Sequence, residues 1–190
     1  MAGEQSYFPV DNKGGENAIT AFEAEWYSKS LVRMNEPRLP PLAEKDDLET
    51  YRLMVLPTWG NPIVVRIEKR GKIFSVFARR LDGQGGYDPG KLAEAKDIAL
   101  SPEESQELEN LLQSLNFFQL STRDKVNGLD GDEWIMEGVS HGKYHITTRW
   151  CAAYYDPPKR GLVQFLKLCD FLFNKSQLSV RPQNKGHKLI

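Results

Sequence analysis

Two stretches of this sequence, 63–80 and 134–150, each turn back on themselves at a central dipeptide, and that pattern constrains the fold more than any other feature. In the first, Ile63, Val65 and Ile67 alternate with Val64, Arg66 and Glu68, the period-two signature of a strand. Arg70-Gly71 reverses the chain and 72–80 returns as its partner. In the second, 134–139 and 143–150 flank His141-Gly142. Hairpins pair antiparallel strands. Two of them, with a further apolar run at 51–56 ended by Pro57, predict one antiparallel sheet.

Helical periods surround these strands. Over 17–34, Ile19, Phe22 and Trp26 form one apolar row, and Tyr27, Leu31 and Met34 the next. Pro37, Pro40 and Pro41 stop that helix. The clearest start signal lies at Ser101, with Pro102 at the first helical position and Glu104 completing a capping box. Leu108, Leu111, Leu112 and Leu115 make the buried face of this helix. The spacing predicts a last helix over 160–174, apolar except for a stripe of Gln164, Lys167, Asp170 and Asn174. A helix of that kind is either central or covered by a partner, so a homodimer through it is one expectation.

The predicted fold class is therefore α+β: an antiparallel sheet built from hairpins with about three packed helices. The Ser101 helix and the last helix pack on the sheet, and the Trp26 helix lies across an edge or face. The polar start, 1–16, is expected to be flexible, 17–174 to form one domain, and 175–190 to be a polar tail.

Composition limits function. The 190 residues carry 25 basic and 26 acidic side chains, a net charge of −1, which argues against a nucleic-acid partner. Two cysteines, Cys151 and Cys169, do not make a disulfide scaffold. The start lacks a basic segment followed by an apolar one, and no run is long and apolar enough for a membrane span. The expected compartment is cytoplasmic.

Several features resemble chemical motifs and fail on spacing. Gly83-Gln-Gly85-Gly86 is followed by Tyr87-Asp-Pro-Gly90, a turn, where a phosphate loop would open a helix. The acidic loop 124–133 has Val126 where a calcium loop needs an oxygen. His141 and His145 lie across a turn and far from paired cysteines, so neither a metal nor a cofactor is expected. Cys151 and His145 are six apart, roughly 20 Å along a strand. The candidate face that remains is Trp134, Glu137, His145, Arg149 and Trp150. Pairing of the two strands is expected to bring Glu137 near His145 and within reach of Arg149, an arrangement fit for a polar ligand or acid–base work. The structural alternative is a cross-strand ion pair.

Several phrases resemble an uncharacterised bacterial protein family. They are Trp26-Tyr-Ser with Leu31 and Glu36-Pro37, Tyr51-Arg52-Leu53, Leu81-Asp-Gly-x-Gly-Gly-Tyr87 with Pro89-Gly-Lys91, Leu129-Asp-Gly-x-x-Trp134 with Glu137-Gly138, and Tyr144-His145 with Arg149-Trp150. The family's small polar residue and proline after Arg-Trp are here Cys151 and Ala152, which takes weight from any role for Cys151. The resemblance brings no activity with it and implies an accessory protein.

The expected function is a non-catalytic protein-binding module, in its most concrete form a bacterial immunity or antitoxin protein that neutralises a cognate toxin domain. Trp59, Trp150, Tyr154, Tyr155 and Arg149 are the expected anchors, and the acidic loop would steer a basic partner. The alternative is a small-ligand-binding protein or an unrecognised hydrolase using Glu137, His145 and Arg149.

Overall fold

The computed structural model describes residues 6–13, 15–45 and 48–180. Six antiparallel strands form one sheet: β1 (Glu49–Pro57), β2 (Ile63–Arg70), β3 (Ile73–Leu81), β4 (Leu92–Ala99), β5 (Asp132–Ser140) and β6 (Lys143–Trp150), in the order β4-β3-β2-β1-β5-β6. Three α-helices accompany them: α1 (Ala21–Arg33), α2 (Pro102–Leu115) and α3 (Val163–Ser176). The α+β class and the two hairpins stand as expected.

Alternation along the strands sends side chains into two cores. Leu53, Val55, Val65, Ile67, Phe74 and Val76 face α2 and α3. Met54, Leu56, Val64, Ile135 and Ile146 face α1, which contributes Ala24, Tyr27, Leu31 and Met34. Both helix starts are fixed by reciprocal caps. Ser101 and Glu104 cap α2 as read from sequence, and Thr20 and Glu23 cap α1 in the same way. That second box shortens the expected 17–34 helix, because Thr20 is extended at φ −68°, ψ 158°.

The last helix begins at Val163, three residues later than expected, because Gly161 takes φ +71° in a turn that precedes it. Phe165, Leu166, Leu168, Cys169, Phe171, Leu172 and Phe173 are all buried in the larger core. Much of the cover that such an apolar helix requires comes from this chain's own sheet and α2. Burying each such Leu or Phe contributes about 1.5–3 kcal/mol.

Described residues on either side of 17–174 also make contacts. The described part of the expected flexible start packs down: Phe8 is buried against Tyr27, and Tyr7 Oη donates to the Glu36 carbonyl at 2.9 Å. Of the expected polar tail, Lys175 and Ser176 belong to α3 and Leu178 packs on the core, while 181–190 lie outside the described residues. β4 is an addition that sequence reading missed. Its residues are mostly exposed and three of the eight are Ala, with Ile98 packing on the larger core, so no clear alternation marks it.

Candidate functional site

The β5–β6 register separates the face predicted from sequence. Ser140 pairs with Lys143 across the two-residue turn, so Gly138 lies opposite His145, Trp134 opposite Arg149, and Glu137 opposite Ile146. Directly opposed residues share a face. His145 and Arg149 therefore point towards α2 and α3, and Glu137 points towards α1. The expected triad of acid, base and cation does not form, and an acid–base site on those three residues has no geometry to support it.

Glu137 instead joins a buried ionic network. Arg52 Nε donates to Glu137 Oε1 at 3.0 Å, and Arg52 Nη1 donates to the Pro37 carbonyl at 2.6 Å. Glu36 Oε2 receives Arg66 Nε at 2.9 Å and lies 3.5 Å from Arg52 Nη1. Tyr144 Oη donates to Glu137 Oε2 at 3.1 Å. Burial opposes the Arg52 charge, but Glu137 and Glu36 outweigh it and strengthen its hold on the proton. Burial pushes the Glu137 carboxyl up, with Arg52 pulling it down. Arg52, Glu36 and Glu137 are all buried, so this cluster has no open approach for a ligand.

The other predicted residues have structural partners as well. His145 Nδ1 meets Asn17 Oδ1, and its ring stands edge-on to Phe117 at 4.9 Å. Its Nε2 has no hydrogen-bond partner among the described residues, and burial lowers the imidazole's affinity for a proton. Arg149 Nη2 donates to the Ser121 carbonyl at 3.0 Å. Together with the Thr148 N to Thr122 O bond at 2.7 Å, this fastens 121–123 along the outer edge of β6. Trp134 is core, edge-on to Phe173 at 5.6 Å. Cys151 Sγ lies 3.7 Å from Asp132 Oδ1, and burial raises its thiol to about 11, which gives no Cys–His pair.

What the fold does assemble lies at the loop end of the sheet. Pairing of β1 with β5 sets Pro57 opposite Asp132, and pairing of β2 with β3 sets Ile63 opposite Arg80. The 57–60 turn, the 82–91 loop and the 128–131 loop thereby meet. Thr58 N donates to the Gly131 carbonyl at 2.7 Å, Gly85 N to the Gly60 carbonyl at 3.0 Å, and Trp26 Nε1 to the Gly85 carbonyl at 2.6 Å. A Cβ on Gly85 would stand 2.7 Å from the Pro57 carbonyl oxygen, so only glycine permits this approach. The glycine cluster thus serves close backbone packing.

Exposed aromatics sit on that framework. Trp59 and Tyr87 are 65% and 57% exposed, with ring centroids 5.0 Å apart. Nearby, Tyr155 is 61% exposed and stacks on half-buried Trp150 at 5.2 Å. Of the expected anchors, Trp59 and Tyr155 are open, Trp150 and Tyr154 half-buried, and Arg149 buried. Acidic groups share this end. Glu133 is largely buried, and that burial, with Glu23 and Asp124 adding to it, raises its carboxyl to about 8. No cluster of His, Cys, Asp or Glu among the described residues could hold a metal ion, and no described helix is long and apolar enough to cross a membrane.

No known protein family matches the chain, and no curated protein is significantly similar to it.

Proposed function

We propose that this chain is a non-catalytic protein-binding module that engages its partner through the loop end of the sheet. The observation that carries this reading is the Trp59–Tyr87 pair. Two large aromatic rings are left open to solvent on backbones tied together by hydrogen bonds. Trp and Tyr are the residue types that dominate binding energy at protein interfaces, and a rigid backbone lowers the entropy cost of using them. The exposed acidic residues Asp88 and Asp130 suit a basic partner. The specific form, neutralisation of a toxin domain by an immunity protein, rests on the sequence reading alone.

The test is capture from the native host with wild type and with a Trp59→Ala/Tyr87→Ala variant. The variant should keep its melting temperature, because both rings are exposed, and should lose a partner that the wild type retains. If the wild type captures no protein, or the variant captures the same one equally well, the reading fails. Co-expression with the products of adjacent genes tests the immunity form: rescue of a toxic neighbour is expected.

A further inference from the structure

Beside the loop end, α2, α3 and the 153–158 segment enclose a groove of about 560 Å³. Its floor and walls include Leu111 from α2, Val163, Leu166 and Phe171 from α3, and Tyr154 and Pro157 from the segment. It runs along α3 from Val163 to Asn174, three turns of helix or roughly 17 Å. The charged groups on its rim are Glu107 and Asp170 against one ammonium, Lys167, while Asp156 is paired with Lys159 at 2.8 Å.

The segment that walls this groove is held in an unfavourable conformation. Cys151, Tyr155 and Asp156 have φ of +45°, +57° and +59°, a region that bulky side chains rarely adopt. Arg160 enforces it. Its guanidinium donates to the carbonyls of Trp150, Cys151 and Tyr154, each at 2.9 Å, and pairs with Asp124 at 2.7 Å. Strain of this kind persists only where its surroundings over-determine it, and it concentrates at ligand-binding elements. Here it sets Tyr154 and Tyr155 in the wall of the groove.

We infer that this groove receives an amphipathic α-helix of a partner protein, its apolar stripe on Leu111, Leu166 and Phe171 and its flanks bearing Lys or Arg. Three features select that occupant. The groove follows α3 for three turns, enough for anchors at i, i+3, i+4 and i+7. Its long axis is bounded by helices, whose ridges pack against another helix. Two carboxylates unpaired among the described residues, Glu107 and Asp170, to one ammonium favour a cationic helix. The inference rests on the protein-binding reading above and uses a different surface.

Two labelled fourteen-residue peptides test it: one with Leu at i, i+3, i+4, i+7 and Lys on the flanks, the other with Glu in place of Lys. Fluorescence anisotropy should show the Lys peptide binding at least tenfold more tightly than the Glu peptide. Leu166→Glu should abolish that binding. Asp170→Lys with Glu107→Lys, the first half-buried and the second exposed on the rim, should reverse the preference while the protein still folds. Should Leu166→Glu fail to fold, Tyr155→Ala supplies the second variant and should weaken binding about tenfold. Equal binding of both peptides, no binding of either, or binding indifferent to the rim charges overturns the inference. None of these results depends on the Trp59–Tyr87 pair, so the two readings can fail separately.

Discussion

Arg52 and Glu137 face one another from the neighbouring strands β1 and β5, with Nε to Oε1 at 3.0 Å and both side chains shut off from water. Removing one partner of such a pair leaves an uncompensated buried charge and costs about 3–5 kcal/mol. Arg52→Met should lower stability by that amount in urea titration. Arg52→Met with Glu137→Leu should lose less than Arg52→Met alone, since Glu36 keeps Arg66. If the double variant is the less stable of the two, the pair is not the unit described here.

The raised carboxyl of Glu133 makes stability pH-dependent. Its folded value is about 8 against 4.5 when unperturbed, so between those values the folded state holds a proton that the unfolded state has released. The contribution is complete below about 4.5 and is lost as pH rises through about 8. Glu133→Gln should flatten the fall in melting temperature between pH 5 and pH 9. An unchanged slope would contradict the assignment.

His145 acts with the opposite sign. Burial lowers its folded pKa below the ordinary 6.5, so protonation favours the unfolded chain. The stability it confers is present above about 6.5 and is lost as pH falls through the lower folded value. His145→Asn should reduce the loss of melting temperature on acidification below pH 6.5. The carboxyl of Glu16 opposes the shift, so Glu16→Gln should steepen that loss.

Gly85→Ala should pry the 82–91 loop from the 57–60 turn, because its Cβ meets backbone atoms of Leu56 and Pro57 that have no room to yield. Overpacking of this kind costs about 1–3 kcal/mol. The same change should weaken partner capture, since it moves Tyr87 away from Trp59. Capture at wild-type strength would show that the two rings need not be juxtaposed.

Local signals were legible wherever a residue acts on its own neighbours. Ser101, Pro102 and Glu104 announced α2, and Thr20-x-x-Glu23 carried the same signal for α1. The two-residue turn at His141-Gly142 also held the information that divides the predicted face. Ser140 opposite Lys143 puts odd-numbered residues opposite even-numbered ones, so Glu137 could not share a face with His145 or Arg149. β4 was illegible, because an edge strand that is mostly exposed buries too little, chiefly Ile98, to impose alternation.

The sequence by itself determined the antiparallel sheet, its hairpins, the helix that Ser101 begins and the apolar character of α3, since periodicity and capping act within a few residues. Only the tertiary structure decided what pairs with what at a distance. It gave Arg52 to Glu137, separated by 85 positions, and clamped 150–154 with Arg160. It joined Thr58 to Gly131 and so assembled the aromatic surface from loops that have no common period. Such contacts arise from strand order and register, and these depend on how two cores are filled at once.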